Sequence, residues 1–376
     1  MKNKIILFLF CIVITGCYNY NELNEIAIIS GLGIDLVDGK YHISAMISNG
    51  ESLDSKENNE QTTLITGTGE TYSEAIEDVE RKSPRELYIG HLNVVVIDEN
   101  IAKDSLYDII EALFRNPETL KKYYIILAKD ISSKDILKTL SPLETFPAQN
   151  TSLNIISSKQ NLGFTTEVFL SDFIYKIVNV GIEPVMPTIM LDGNIKNADD
   201  AEDLKKSEIE TTLKMGELAL FKDYKLISYA TEEESKGINI INNEALSMIV
   251  KTKCTTSGID NIKSKIKVVN KEKIKLEIKA VGSINETSCK LDLRKQKVIN
   301  KLNKEVTNKL VEIINQSIDK AKKIDSDIFG FGNKIYKKYG TLDYDFNSLD
   351  IDIDIDLNLK TKGSLETTLK EVQNEG

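Results

Sequence analysis

The chain has 376 residues, 41% hydrophobic and 28% charged, a globular composition with room for two or three domains. Its formal net charge of −10 argues against nucleic-acid binding, because nothing in the overall balance draws it to phosphate backbones or anionic headgroups. It has two histidines and four cysteines, and no Cys/His spacing suits a zinc site.

Lys2 and Lys4 make a short basic start, followed by an unbroken apolar run from Ile5 to Ile14 and then Ile14-Thr15-Gly16-Cys17. This is the charged, apolar, small-residue order of a bacterial export signal. The run is about half of the roughly twenty residues that a bilayer span needs. Cys17 falls where a lipobox requires it. Residues 1–16 are therefore expected to be a cleaved lipoprotein signal peptide, with diacylglycerol on the Cys17 sulfur and residues 17–25 as a lipidated tether. Each buried acyl methylene contributes ~0.8 kcal/mol, so two or three chains anchor durably where one would not. No later segment approaches a membrane span, so the lipid is the expected anchor, outside a cytoplasmic membrane. Cys11 leaves with the signal. Cys254 and Cys289 remain, and they form one disulfide or stay as separate thiols; the sequence leaves both open.

Residues 26–196 read as an N-terminal α/β domain. A buried strand runs from Ile26 to Asp35, the Asp38-Gly39 pair supplies turn chemistry, and Tyr41 to Ile47 returns as a second strand. Glu51 to Gln61 is almost wholly polar and reads as a mobile loop. A strand over Thr63 to Thr68 precedes a capping box at Thr71 and Glu74, which starts a helix to Lys82. Leu92 to Ile97 is a continuous apolar strand, expected to be buried on both faces. Asp104 to Phe114 has helical periodicity and is stopped by Asn116-Pro117. Tyr123 to Ala128 is a strand, Ser133 caps a helix ending near Leu140, and Thr166 caps a longer one that stops before Gly181.

A charged run over residues 197–208 reads as a linker, and residues 209–256 as a small α/β domain. There, Leu213–Phe221 and Leu226–Ala230 form a hairpin turned at Lys222-Asp223, and a capping box at Thr231 and Glu234 opens a short helix. Residues 257–376 form the last domain. Ile262–Val269 and Ile274–Val281 alternate, with Lys273, Lys275, Glu277 and Lys279 on one face. A long helix over Leu293–Ile324 carries the stripe Ile299, Leu302, Val306, Leu310, Ile313, Ser317, Ala321 and Ile324. Leu349–Leu359 alternates again, with Asp350, Asp352, Asp354 and Asp356 outward. These elements predict a sheet laid against one long helix, with an Asp row beside a Lys row. The fold class is mixed α/β or α+β, multi-domain, with mixed sheets and packed helices.

No catalytic residue, cofactor site or metal site stands out. Same-face aspartates on a strand lie about 7 Å apart and point in parallel, whereas calcium needs six to eight converging oxygens. His42 and His91 are the only histidines; His91 begins a strand, but no G-x-S-x-G elbow accompanies it. Gly67-Thr68-Gly69 precedes a helix as phosphate loops do, yet the rest of either nucleotide motif is missing and Glu70 would repel phosphate.

Beyond chemistry, several segments occur in a specific joint order. They are Glu22-Leu23-Asn24-Glu25, Gly31-Leu32-Gly33-Ile34-Asp35, Gly90-His91-Leu92-Asn93 and Phe114-Arg115-Asn116-Pro117-Glu118. Then follow Gly181-Ile182-Glu183-Pro184, Ala219-Leu220-Phe221-Lys222-Asp223, Glu233-Glu234-Ser235-Lys236-Gly237 and Asp327-Ile328-Phe329-Gly330-Phe331-Gly332. In this order the chain resembles the Ger(x)C family, the C-subunit lipoproteins of bacterial spore germinant receptors. It departs from the family where Tyr18 stands in place of a tryptophan, where Tyr336, Tyr339, Tyr344 and Phe346 follow the Phe-Gly-Phe-Gly segment, and where Lys236 replaces arginine. The resemblance implies several mixed α/β domains and a non-enzymatic receptor component on the outer face of the spore inner membrane. It also implies work with membrane A and B subunits to trigger germination by small nutrients. Tyr336 and Tyr339 are candidates for partner contact. The alternative is a substrate-binding lipoprotein of an import system, which predicts two similar lobes around an apolar cleft.

Overall fold

Asp38 and Gly39 both take positive φ, at 52° and 76°, and turn strand β1 (Ile26–Val37) back into β2 (Lys40–Ser48) as a tight hairpin. From this hairpin the computed structural model describes residues 25–48, 62–117, 122–199, 206 and 210–361. The lipobox, Cys17, most of the tether, the 51–61 loop and most of the 197–208 linker lie outside the described residues.

The chain continues through β3 (Thr62–Gly69), helix α1 (Tyr72–Lys82), β4 (Glu86–Tyr88), β5 (Val94–Asp98), α2 (Glu99–Asp104), α3 (Tyr107–Arg115) and β6 (Tyr124–Ala128). Next come α4 (Ser133–Lys138), α5 (Pro147–Leu162), α6 (Leu170–Val178), β7 (Val185–Met186), β8 (Thr188–Asp192) and β9 (Thr212–Met215). The first sheet has the order β3-β2-β1-β5-β6-β8-β9, with β4 beside β1. Its central strands β1, β5, β6 and β8 are parallel. Helices cover both faces, so β5 is buried throughout: Val95 and Ile97 join the core under α1, α2, α3 and α6, and Val94 and Val96 join the core under α4 and α5. Asp35, at the end of β1, accepts the Ser133 amide (2.6 Å), the Ser133 hydroxyl (2.8 Å) and the Lys134 amide (3.2 Å), and so caps α4.

Two short strands, β10 (Ala219–Lys222) and β11 (Lys225–Tyr229), pair beside β7 in a three-stranded ribbon. The ribbon separates two cores: Met186, Ala219 and Phe221 face one, and Val185 and Leu220 the other. Then α7 (Glu232–Ile241) leads to a second antiparallel run, β12 (Ser247–Lys251), β13 (Thr255–Val268) and β14 (Lys273–Thr287). Helix α8 (Gln296–Lys323), helix α9 (Phe331–Tyr339) and β15 (Asp350–Thr361) close the chain. Because α8 is a crossover, β15 returns parallel to β14. Leu302, Val306, Leu310 and Ala321 of the expected stripe are buried in the core under the sheet, joined there by Ile314 and Ile318, whereas Ile313 and Ser317 are buried where α7 crosses the helix. Lys273 pairs with Asp350 (2.8 Å), and Lys275 reaches diagonally to Asp354 (2.9 Å). The fold is mixed α+β with several sheets.

Several elements differ from the sequence-based expectation. Leu213–Phe221 is not one strand. The Gly216 amide binds Thr188 O (2.8 Å), the chain breaks there, and β9 joins the first sheet beside β8. Helix α5 has no clear apolar stripe; Thr151 and Ser152 are buried and bond back to Pro147 O and Ala148 O, so polar residues occupy the inner face. Asp104–Phe114 splits at Ser105 into α2 and α3. Thr166 does not cap α6, which begins at Leu170; its hydroxyl bonds to Glu244. At α1 the Thr71 hydroxyl takes the Glu74 amide, but the Glu74 carboxylate takes the Glu70 amide, one residue before the cap. The Thr231 box is complete.

Helix α7 crosses α8 where Gly237 meets it. A Cβ at Gly237 would stand 2.0 Å from Ser317 Oγ and 2.6 Å from the Ile313 carbonyl oxygen. Gly237→Ala gains about 1 kcal/mol of helix propensity. Overpacking against a backbone atom costs about 1–3 kcal/mol, so the variant is expected to lower the urea midpoint with the m-value unchanged. Cys254 and Cys289 flank the open end of the β13–β14 ladder and are bonded, with Cα atoms 5.2 Å apart. They are separated by 35 positions, a loop whose closure stabilises by about 4 kcal/mol on the chain-entropy account. Thiol labelling of the unreduced, denatured protein is expected to miss both residues, and reduction to lower the urea midpoint.

Candidate functional site

Three of the segments that carry the resemblance, those at Gly181, Ala219 and Asp327, converge on one buried carboxylate. Gly330 holds the N-cap position of α9 in a left-handed conformation (φ 70°) and has no side chain to offer the first amides of the helix. Asp327 supplies the acceptors instead: its carboxylate takes the amides of Phe331 (3.1 Å) and Gly332 (2.7 Å) and the hydroxyl of Tyr344 (3.0 Å). Gly332 is required there, because a Cβ would lie 2.1 Å from the Tyr344 hydroxyl oxygen. The Asp327 carbonyl accepts the Glu183 amide (2.9 Å), and the Gly181 carbonyl accepts the Asn333 amide (2.7 Å). The Asn333 side chain donates to Val180 O (2.9 Å). From the ribbon, Phe221 O accepts the Ser326 hydroxyl (2.6 Å), Lys222 pairs with Asp325 (2.5 Å), and the Asp223 amide donates to the Glu183 carboxylate (2.7 Å).

Burial pushes the Asp327 carboxyl up to about 6, against the hydrogen bonds from its backbone and tyrosine donors that pull it down. Glu183 is raised by the same cause. Tyr344 is held well above the usual phenol range by burial and by the Asp327 charge. This is a rigid joint that fixes α9 and leaves Lys334, Tyr336, Lys337, Lys338 and Tyr339 exposed. It presents an oriented surface, and no nucleophile with a base.

The residues weighed from the sequence fall elsewhere. His42 lies opposite Asp35 across the β1–β2 ladder, and His91 is exposed with its ring edge-on to Tyr88 at 5.8 Å. The Thr68 amide of the Gly-Thr-Gly segment donates to Asp78 (2.8 Å), which leaves a carboxylate where phosphate would sit. Among the described residues no group of three or more His, Cys, Asp or Glu is placed to hold a metal ion. A cleft of about 600 Å³ opens at the carboxyl ends of β6 and β8, lined by Lys129, Asp130, Ser132 and Asn194, the place where open α/β sheets hold ligands. The α4 amides beside it are already taken by Asp35, so they form no anion site. The Asp327 joint was legible only as a motif; nothing local in Asp-Ile-Phe-Gly-Phe-Gly reveals which carboxylate would be buried.

Two family models match the chain: the spore germination protein N-terminal domain over residues 19–191, and the spore germination B3/GerAC-like C-terminal region over residues 216–364. The chain belongs to the GerAC-like, or Ger(x)C, family of spore germination proteins. Within that family it is similar to spore germination protein KC of Bacillus subtilis (strain 168), with 25% identity over 354 residues covering 89% of this chain and 87% of that protein. Spore germination protein GerQC of Bacillus cereus is 22% identical over 339 residues, covering 85% and 87%. Among solved structures, the crystal structure of the GerBC protein aligns over 91% of this chain and 99% of that one, with 16% identity and a TM-score of 0.49. The Asp327 joint links the two matched regions, since Gly181 and Glu183 belong to the first and Phe221 and Asp327 to the second. Strand β9 lies between the two matches, yet it completes the first sheet.

Asp327→Ala would leave three buried donors without their acceptor, at about 1–3 kcal/mol each. Because the folded carboxyl titrates above its ordinary 3.8, its contribution is fully present below that value and is lost as pH rises through about 6. The stability gap between wild type and variant, from urea unfolding, is expected to be widest near pH 4 and to narrow towards pH 7.

Proposed function

We propose that this protein is the lipid-anchored, non-enzymatic C subunit of a spore germinant receptor, held by Cys17 on the outer face of the spore inner membrane. It acts with membrane A and B subunits to convert a small nutrient signal into germination. The observation that carries this reading is the pair of family matches, which together span nearly the whole chain after the export signal. A Cys254–Cys289 bond suits an exported protein, since disulfides persist in oxidising compartments outside the cytoplasm. Among the described residues no helix is long and apolar enough to cross a membrane. In this reading the anchor is the lipid, and the protein's work is contact and transmission. The import-system alternative asks for two similar lobes; the mixed, helix-covered first sheet and the one-helix C-terminal sheet differ in build.

The test is germination of spores lacking the gene, across amino acids, sugars and bile salts, with complementation by wild type and by Cys17→Ala. Loss of response to one nutrient class, restored by wild type and poorly by Cys17→Ala, is the expected result. Normal germination on every nutrient, in a strain also stripped of paralogous receptors, would overturn the reading.

A further inference from the structure

Seven of the seventeen large apolar side chains left exposed among the described residues gather around α9. Tyr175, Val178 and Val180 project from the end of α6, and Tyr336, Tyr339 and Leu342 from α9 and the turn after it, with exposures between 40% and 68%. A cluster of this kind marks a contact surface. The two groups are joined directly: Lys337 Nζ lies 3.0 Å from the Tyr175 hydroxyl, and Asn333 ties α9 to Val180. Lys338 reaches the Val268 carbonyl (2.7 Å) at the tip of the β13–β14 hairpin, where Val269 is also exposed. Lys337 and Lys338 stand between Tyr336 and Tyr339, and Lys334 adds a third exposed lysine just before them. The cluster's acidic neighbours include Asp343, paired with Lys271, as well as Asp345 and the exposed Glu272 of the hairpin turn.

We propose that this face rests on an anionic bilayer surface. The inference rests on the lipid-anchored reading and adds the orientation of the anchored protein. Lysines alternating with tyrosines suit the headgroup layer, where a ring lies at the boundary and an ammonium meets phosphate. The patch is basic on a chain whose net charge is −10. The overall charge, which speaks against headgroup attraction, averages this patch away.

The chain contains no tryptophan, so Tyr339→Trp creates a single reporter, with Tyr336→Trp as a second in case the first misfolds. Leu143→Trp, between α4 and α5 on the other side of the first sheet, is the control. Each is placed in the lipidated mature chain and in the mature chain with Cys17→Ala, on phosphatidylglycerol or phosphatidylcholine vesicles with brominated acyl chains. The expected result is quenching of the α9 reporter on phosphatidylglycerol and not of the control. Lys337→Glu and Lys338→Glu should each weaken vesicle binding of the Cys17→Ala chain by roughly fivefold or more. An α9 reporter unquenched in both chains overturns the proposal, and so does a response only to added receptor membrane subunits. Failure of the lipidated chain to float with vesicles refutes the anchor reading separately, while quenching in the Cys17→Ala chain would still support the docking face.

Discussion

Asp327 joins a local turn to a segment far away in sequence, the first through its carboxylate and the second through its backbone oxygen. It closes the first turn of α9, holds Tyr344, and through its own backbone oxygen receives Glu183. A buried carboxylate is costly to desolvate, and here its lone pairs are answered by donors of fixed position. Removing the carboxylate strands its donors, and the neighbouring Asn333–Gly181, Ser326–Phe221 and Glu183–Asp327 hydrogen bonds tie the Gly181 and Phe221 segments to the same turn. The orientation of the α9 outer face, with its tyrosines and lysines, is a consequence of that joint.

The ribbon around β10 supplies the second constraint. Its alternate residues enter different cores, so each side of the strand is buried against a different part of the chain. A strand shared in this way makes the two regions recognised by separate family models cooperative. The Gly237–Ser317 crossing adds a third contact, in which a missing side chain allows two helix backbones to approach.

The joint and the surface were unequally visible in sequence. Asp327, Gly181 and Phe221 could be singled out as motif members, but the hydrogen bonds that tie their segments together include Ser326 to Phe221 across 105 positions and Asn333 to Val180 across 153. Tyr336 and Tyr339 could be named as aromatics near a glycine-rich segment. That they are exposed depends on how α9 is rolled, which Asp327 sets from before the helix and Asn333 sets from its buried face by bonding to Val180. Helix α5 escaped notice because its inner face carries Thr151 and Ser152, whose hydroxyls satisfy themselves on the backbone and so hide the usual apolar period.

By itself the sequence determined the β13–β14–α8–β15 unit, including the buried stripe of α8 and the Lys and Asp rows. Periods of two and 3.6 are local properties, and burial on one face is enough to express them. The same holds for the apolar Val94–Ile97 run of β5 and for the capping box at Thr231. Tertiary structure alone decided that β9 would leave its neighbouring hairpin for the first sheet, that Asp35 would cap α4, and that Asp327 would be the carboxylate taken out of water. Each of those outcomes turns on a hydrogen bond or strand pairing between distant residues. Its strength comes from burial, which no local pattern specifies.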